Sequence, residues 1–317
     1  MQTMTPGARV RAAIQGQEVD RVPFCFWHHF QPEGSGQRLA ELTKAFFVDT
    51  FKLDIAKIMP DLPYPAPDTA PITIDQFRLL PRLDLNTPAF REQITCVRTL
   101  RSMLGSEYPI LLTLFSPLTY AMNFLGKEQA LDAVKKRAEI LGEGLGTLAA
   151  NLNKLMEAAI DAGASGIFFS CMGATTADLT LDDYANVGYP YDIQALRGAS
   201  GGWLNTVHVH ADPGQSSDQV YLEFFNRYPV SVLSWSDRLT GPNLEEARTI
   251  TDKCLMGGLL ERGPLTHGGE TELKNEMLSA ITQTKGRKFI LANGCSIPND
   301  TPTNWLYTAR HLIDNLT

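Results

Sequence analysis

Two histidines separated by one residue, His208 and His210, stand at the end of an apolar run that is typical of a buried β-strand. Residues i and i+2 of a strand share a face, so both imidazoles would point to the same side. Cys295 follows another apolar run, near the end of the sequence. Two imidazoles and a thiolate with an open fourth position form a catalytic zinc site. The spacing also fits two hydrogen-bonded histidines in a metal-free pocket, and it leaves both interpretations open.

Polar side chains also follow the first two apolar runs of the sequence. The first run ends at Trp27, which would wall a pocket or pack in the core. His28 and His29 follow it directly. Neighbouring strand residues face opposite sides, so only one of the two imidazoles would face a site. Asp61 follows the second run, in the segment MPDLPYP. Imidazole and carboxylate groups act as general acids and bases, so His29 and Asp61 are the candidates for proton transfer.

The sixth apolar run is followed by an acidic and a basic residue, Asp237 and Arg238. Asp237 would be the fourth ligand of a metal or a carboxylate that orients one of the ligands. Arg238 is the arginine at a strand end that would bind the carboxylate of a substrate.

Eight short apolar runs predict the strands that must position these side chains. The runs lack polar alternation, which is typical of strands covered on both faces. They comprise residues 22–27, 54–59, 110–115, 166–170, 203–209, 230–235, 254–259 and 289–293. Helical stretches separate them, and this alternation predicts an α/β fold, a (β/α)₈ TIM barrel. A doubly wound open sheet is the alternative, but no glycine fingerprint follows the first strand. In a barrel the carboxyl ends of all strands meet at one mouth.

The segments between the strands give further predictions. Apolar residues recur at steps of three and four from Ala130 to Ala159, which predicts one helix with an apolar stripe. Glycines 142, 144 and 146 within it indicate close helix packing rather than a nucleotide loop. Residues 172–202 form a long connection, which predicts a lid or small elements of its own. With no low-complexity linker, we expect residues 1–317 to form a single domain.

Composition excludes several classes of protein. The 28 Lys and Arg residues against 35 Asp and Glu residues give a net charge of 28 − 35 = −7, which argues against binding nucleic acid. No apolar run has the length of about 20 residues that spans a bilayer, so no membrane association is expected. The N-terminal stretch lacks the apolar core of a signal peptide. The 5 cysteines are scattered and odd in number, which favours a reducing cytoplasm over a disulfide framework.

The two ends of the sequence resemble those of the uroporphyrinogen decarboxylase superfamily. The opening pattern is RAAIQG at 11–16 with VDRVP at 19–23, and the closing pattern is ANGCSIPNDTP at 292–302. Between them, WSD at 235–237 and MGG at 256–258 fall where this superfamily carries its strand-six and strand-seven motifs. The superfamily consists of (β/α)₈ barrels, which agrees with the strand count.

The resemblance is weaker at the positions that bind uroporphyrinogen. Genuine decarboxylases follow strand one with an arginine-rich motif that binds the carboxylates of the substrate, whereas this sequence has WHHF at 27–30. Their strand-eight Gly-His is replaced by Gly294-Cys295. Their substrate-binding tyrosine falls near Asn123, with Tyr120 close by, and Asp61 matches their central carboxylate. We therefore do not expect uroporphyrinogen to be the substrate.

The corrinoid-dependent methyltransferase branch is more similar to this sequence at the diverging points. Those enzymes hold zinc with His-x-Cys at strand five and Cys at strand eight, positions that correspond to His208, His210 and Cys295. Because His210 replaces a cysteine, the site would keep one net positive charge and act as a stronger Lewis acid. The sequence has no corrinoid motif of Asp-x-His-x-x-Gly type. A methyl donor would therefore arrive on a separate corrinoid protein or as a free cobamide.

Three functional hypotheses follow. The leading one is a zinc-dependent enzyme of the methyltransferase branch, in which the metal activates a small acceptor and Asp61 or His29 moves its proton. The alternative is a decarboxylase or lyase that acts on a small carboxylic acid, with Asp61 stabilising a developing cation. The third is a barrel that binds a ligand without turnover. A homodimer is implied by the resemblance alone.

Overall fold

Eight strands form the centre of the computed structural model, which describes residues 3–67, 70–211 and 218–316. They are β1 (Phe24–Cys25), β2 (Ala56–Ile58), β3 (Ile110–Phe115), β4 (Gly166–Cys171), β5 (Thr206–Val209), β6 (Val232–Trp235), β7 (Cys254–Leu259) and β8 (Phe289–Asn293). Each lies at one of the eight predicted runs, and the buried residues of the strands confirm that both faces of the sheet are covered.

The strands form one parallel sheet in the order β1-β8-β7-β6-β5-β4-β3-β2. Sequential strands pair with each other from β2 to β8, and β8 also pairs with β1. The sheet therefore curls until its two ends meet, where the amide of Asp54 donates to the carbonyl of Phe24 at 3.0 Å. This confirms the predicted (β/α)₈ barrel, while the assignment of residues 1–317 to a single domain stays a prediction.

Helices connect the strands on the outer face of the sheet. The α-helices are Pro6–Gln15, Gly36–Thr43, Ile74–Phe77, Pro88–Leu104, Pro117–Leu125, Lys127–Lys136, Ala138–Asp161, Leu181–Asp183, Tyr189–Leu196, Leu244–Ile250, Pro264–His267, Glu270–Thr284 and Thr303–Asp314. Lys44–Thr50 and Tyr184–Gly188 are π-helical, and Arg197–Ala199 and Phe224–Arg227 are 3₁₀ turns. No helix among the described residues has the length and apolar character needed to cross a membrane.

The prediction of one helix from Ala130 to Ala159 is wrong. The stripe belongs to two helices, which are separated at Arg137, where φ is −138° and ψ is 36°. No glycine or proline stands at this position, so periodicity alone could not reveal the interruption. Close packing of the glycines is confirmed at two positions. A Cβ at Gly142 would lie 2.4 Å from the hydroxyl oxygen of Tyr191, and one at Gly144 would lie 2.4 Å from the ring of Phe77.

The connection after β4 has helical elements of its own, as predicted for a segment of this length. A buried carboxylate joins it to the barrel. Asp192 accepts hydrogen bonds from the hydroxyls of Tyr184 and Tyr228, both at 2.7 Å. The thiol of Cys171, at the end of β4, lies 3.8 Å from the same carboxylate oxygen. These contacts fix the connection against the outer face of the sheet, close to the carboxyl ends of the strands.

A second buried carboxylate, Asp54, joins the first two strands to the N-terminal helix. Its side chain is fully buried and accepts from Arg9 at 2.5 Å, from Arg21 at 2.6 Å and from the amide of Phe24 at 2.8 Å. Arg9 is also paired with Asp20 at 2.6 Å. Every charge of this network has a partner at hydrogen-bond distance, which offsets the cost of removing the charges from water.

Replacing Asp54 by Asn should destabilise the protein by about 3–5 kcal/mol, because two buried guanidinium groups would lose their shared carboxylate. Chemical denaturation followed by circular dichroism would measure the change. The matched control is Asp314→Asn, which removes the more exposed partner of Arg21 at 3.0 Å and should cost about 1 kcal/mol or less. Equal losses in the two variants would contradict the importance assigned to Asp54.

Candidate metal centre

His208, His210 and Cys295 come together at the carboxyl ends of β5 and β8. One donor atom from each residue lies within 4.8 Å of the others. The Sγ of Cys295 is 3.6 Å from Nδ1 of His210. His208 is buried, whereas His210 and Cys295 are partly exposed. His208 of β5, His210 directly after that strand and Cys295 beyond β8 thus form the cluster that the sequence predicts.

The ring of His208 is held on two sides. Its Nδ1 lies 3.2 Å from the hydroxyl of Ser234, the residue it faces on β6. The ring stacks on Phe168 with centroids 5.2 Å apart. The contact with Ser234 leaves Nε2 as the nitrogen that can bind a metal. Burial lowers the pKa of His208 well below its ordinary value, and His210 and Lys57 act in the same direction. The imidazole is therefore neutral, which is the protonation state of a metal ligand.

Several neighbouring groups shift the pKa of the Cys295 thiol. Burial raises the pKa of its thiol and Glu261 acts in the same direction, while the backbone amide of Ser296 and the side chains of Lys57 and Arg262 lower it. The side-chain amide of Asn293 donates to the backbone carbonyl of Cys295 and fixes the turn after β8. A divalent cation bound beside the sulfur would deprotonate the thiol. One soft sulfur donor and two imidazoles suit zinc, so the donor set fits the ion that the sequence predicts.

A cavity of about 210 Å³ extends from this cluster into the mouth of the barrel. Its lining combines the three candidate ligands with apolar side chains and a few hydroxyls. The lining residues are Trp27, His29, Lys57, Met59, Pro60, Thr113, Phe115, Thr119, Asn123, Phe168, Ser170, Met172, His208, His210, Cys295 and Ser296. Of the residues predicted to bind substrate, Trp27 and Asn123 line this cavity.

The two adjacent histidines differ in position, which the sequence could not decide. His29 lines the cavity, and its Nδ1 is 2.6 Å from the carboxylate of Asp61. Its Nε2 is 3.3 Å from the hydroxyl of Ser296. Asp61 also accepts from the amide of Phe30 at 2.7 Å, so its carboxylate is oriented from two sides. This pair has the arrangement of a general base held by a carboxylate.

His28 turns away from the cavity. Its ring packs against Phe30 and Phe46, with centroids 4.8 Å and 4.4 Å away. Its Nδ1 lies 3.3 Å from the side-chain oxygen of Asn299. Burial lowers the pKa of His28, so the ring is neutral at physiological pH. His28 therefore packs among aromatic rings and does not line this cavity, while its predicted contact with substrate stays a prediction.

Three other predicted substrate contacts lie outside this cavity. Tyr120 lines a neighbouring cavity of about 200 Å³ together with Tyr64. Arg238 is directed outward, where it donates to the carbonyls of Gly258 at 2.9 Å and Glu276 at 3.0 Å.

Asp237, which the sequence offered as a fourth ligand, accepts from the amide of Gly258 at 2.7 Å and does not belong to the ligand cluster. Burial raises the pKa of Asp237 to about 6, against the opposing effect of that amide. Side chains directly after a parallel strand can thus face the helices as well as the mouth.

Sequence reasoning missed Lys57, which lies in the middle of β2 with its side chain inside the barrel. Its Nζ donates to the hydroxyl of Thr113 at 2.8 Å and lies 3.3 Å from the sulfur of Met59. Among the described residues, none of its contacts is an ion pair with a carboxylate. The available signal was a lysine among the apolar residues of 55–59, which a strand buried on both faces must place in the core or in a site.

The comparison with protein families identifies the chain. The model described as uroporphyrinogen decarboxylase (URO-D) matches residues 52–314, which is most of the 317 residues. The chain belongs to the uroporphyrinogen decarboxylase family. The resemblance inferred from the end motifs is thereby confirmed, and the closing motif at 292–302 lies within the matched residues. A comparison with curated proteins gave no match.

Solved structures of similar fold extend the family comparison. A methyltransferase from Methanosarcina mazei has a TM-score of 0.75 and 16% identity, covering 98% of this chain and 99% of its own. A putative vitamin-B12-independent methionine synthase from Listeria monocytogenes has a TM-score of 0.57 and 13% identity, covering 89% and 86%. A B12-independent methionine synthase from Shewanella sp. W3-18-1 has a TM-score of 0.51 and 16% identity, covering 70% and 66%. At these identities the likeness concerns the fold.

Replacing Lys57 by Met should stabilise the protein and change its response to pH. Burial lowers the pKa of Lys57 to about 7. The unfolded chain therefore binds one more proton than the native state between about pH 7 and 10.4, and the unfolding free energy of the native sequence rises with pH across this window. Thermal unfolding at several pH values should show this rise for the native sequence and a smaller one for Lys57→Met. At pH 7 the variant should melt about 2–4 °C higher.

The control for this experiment is Lys135→Met, which removes an exposed ammonium and should leave the pH dependence unchanged. An identical pH dependence in Lys57→Met and the native sequence would show that Lys57 has an ordinary pKa in the folded protein.

Proposed function

We propose that this member of the uroporphyrinogen decarboxylase family is a zinc-dependent enzyme of the methyltransferase type. His208, His210 and Cys295 hold the metal, and a small acceptor molecule binds in the adjoining cavity. The observation that carries the proposal is the convergence of three donor atoms within 4.8 Å at the end of that cavity. The methyltransferase from Methanosarcina mazei, which has the same fold over nearly the whole of both chains, agrees with this choice of chemistry.

The ligand set determines what kind of acceptor the site favours. A bound zinc ion would act as a Lewis acid that lowers the pKa of a thiol, hydroxyl or water bound to it. With one thiolate and two neutral imidazoles, the ligands offset one of the two charges of the metal. His210 stands where the resemblance implies a second thiolate, so a thiol acceptor would be acidified strongly but would be less nucleophilic. Hydroxyl and carboxylate acceptors therefore gain relative to thiols.

His29 accepts the proton that the acceptor loses. Its imidazole lines the cavity, and Asp61 holds Nδ1 at 2.6 Å, which orients Nε2 towards Ser296. The hydroxyl of Ser296 neighbours the sulfur-bearing residue Cys295 and is placed to pass a proton between the acceptor and His29. The side chain of His29 is 47% exposed, so the imidazole can release the proton to water. Trp27 and Asn123 contact the acceptor from the cavity wall.

The methyl donor comes from outside this chain in this proposal. A separate corrinoid protein or a free cobamide would present the methyl group at the mouth of the barrel, where the cavity opens. Assembly into a homodimer is part of the same proposal and is tested by the mass of the protein in solution.

Metal content is the first test of the proposal. The native protein should bind one zinc ion per chain, and both His210→Ala and Cys295→Ser should lose most of it, as measured by elemental mass spectrometry on untagged protein. Ser234→Ala should weaken zinc binding about 10–100-fold, because the ring of His208 loses its orienting contact. The matched control is His267→Ala, an exposed histidine that does not belong to the cluster. Absence of zinc from the native protein, after purification without chelators, would overturn the metal assignment and favour a decarboxylase centred on Asp61.

Proton transfer is tested separately from metal binding. Demethylation of methylcobalamin would be followed spectroscopically with thiol, hydroxyl and carboxylate acceptors. His29→Ala should lower kcat about 10²–10⁴-fold with zinc content unchanged. Asp61→Asn should also lower kcat, since the amide cannot stabilise the imidazolium that forms during transfer. Full activity of His29→Ala would contradict its role as the base, and a lack of demethylation with every acceptor would remove the methyl-transfer hypothesis.

A further inference from the structure

Lys57 is buried, whereas most lysines lie at the protein surface. The side chain is 1% exposed and lies inside the barrel, where its amine lines the same cavity as the candidate ligands. Its nitrogen is 4.2 Å from the ring centroid of Phe168 and 4.8 Å from that of Trp27. The oxygen within hydrogen-bond distance is the hydroxyl of Thr113, at 2.8 Å. This amine is enclosed by two rings, a thioether and a hydroxyl.

These surroundings favour the neutral amine. Two aromatic faces compensate part of the cost of burying an ammonium group. A carboxylate at ion-pair distance would compensate much more, and the ion pairs among residues 3–67, 70–211 and 218–316 do not include one for Lys57. Burial therefore dominates and lowers the pKa of Lys57 to about 7. At neutral pH about half of the molecules carry an unprotonated amine, compared with roughly one in a thousand for an exposed lysine.

The charged and titratable groups around Lys57 have opposing effects. Cys25, Cys295 and Asp61 raise the pKa of its amine, although less than burial lowers it. Lys57 in turn lowers the pKa of His208, so the two groups repel each other when both are protonated. Because burial keeps the imidazole of His208 uncharged, the amine of Lys57 titrates beside a neutral ring.

We propose that Lys57 is a covalent capture site for small ketones and aldehydes, with which its amine forms an imine inside the cavity. A neutral lysine in an apolar pocket is an activated nucleophile of this kind. The cavity of about 210 Å³ suits such compounds, since a cavity of about 150 Å³ accommodates benzene. The apolar walls formed by Trp27, Met59 and Phe168 favour a carbonyl compound with a small hydrocarbon body.

The step balances without any other reactant. The nitrogen of Lys57 forms a bond to the carbonyl carbon, and the carbonyl oxygen takes up a proton to give a carbinolamine. The nitrogen then loses its remaining proton as the hydroxyl leaves, so that one water molecule is released for each imine formed. The hydroxyl of Thr113 can transfer protons between the nitrogen of Lys57 and the oxygen of the carbonyl compound, because it already contacts that nitrogen. Exclusion of water by the surrounding rings slows the reverse hydrolysis.

This inference goes beyond the proposed function and does not depend on it, because imine formation uses no metal and no methyl donor. The two proposals share a cavity but involve different atoms: the donor atoms of His208, His210 and Cys295 in one case, and the amine of Lys57 in the other.

Reductive trapping with acetone and sodium borohydride tests the proposal on the full-length native protein. Borohydride reduces the imine to a stable amine, which adds one isopropyl group to the lysine. Peptide mapping by mass spectrometry should find that group on Lys57, with a rate of modification on the order of a hundredfold above that of the exposed Lys135 at pH 7. The rate at Lys57 should be half-maximal near pH 7, whereas exposed lysines should react appreciably only near pH 10.

Variants separate the possible outcomes. Lys57→Arg keeps a basic side chain at this position, but a guanidinium group cannot form an imine, so the modification at residue 57 should be lost. Lys135→Arg should retain the modification of Lys57. Trapping should persist in His210→Ala, so failure of the zinc assignment and failure of this inference are distinguishable. Modification of Lys57 no faster than that of Lys135 in the native protein would overturn the proposal. Because that comparison needs only the native chain, it holds even where Lys57→Arg does not fold.

Discussion

The carboxylate of Asp54 joins the two ends of the curled sheet, and the mouth of the barrel depends on this closure. Asp54 accepts from Arg9, from Arg21 and from the backbone of β1, while its own amide donates to β1. The closed seam brings the end of β2, with Asp61 beyond it, next to the end of β1, with His29 beyond it. The hydrogen bond between His29 and Asp61 spans the same two strands at the opposite end of the barrel. A buried ionic network at one end of the strands thus supports a functional pair at the other.

The cavity carries little fixed positive charge, because burial keeps the imidazole of His208 neutral and favours the neutral amine of Lys57. The lining contains two histidines of the candidate metal centre and Lys57, while Asp61 is already engaged by His29 and by a backbone amide. A metal held by two neutral imidazoles and one thiolate would add a net positive charge. Repulsion between that charge and an ammonium group would further favour the neutral amine of Lys57. In the proposed metal centre, His210 in place of a thiolate would both strengthen the Lewis acid and favour the neutral amine of Lys57.

Membership of the family does not fix the residues that line the cavity. The family match covers residues 52–314, from the segment before β2 to the C-terminal helix. The positions that would bind the carboxylates of uroporphyrinogen have a different chemistry, because WHHF at 27–30 contains no arginine. His29 lines the cavity and His28 packs among phenylalanine rings, so the segment supplies one imidazole to the cavity. Membership of the uroporphyrinogen decarboxylase family therefore describes the scaffold of this protein, and the cavity residues set its chemistry.

The sequence by itself determined the strands and the cluster of candidate metal ligands. A parallel strand covered on both faces must be apolar throughout, so its position is visible in composition, and i, i+2 periodicity directs His208 and His210 to one side. Tertiary structure decided which polar residues next to a strand end face the mouth: it turned His29 inward and Arg238 outward, because that choice depends on packing against neighbouring helices. It also decided the role of Lys57. A lysine within an apolar run shows that the chain accepts a buried amine, but only the fold shows that Thr113, Phe168 and the cavity surround it.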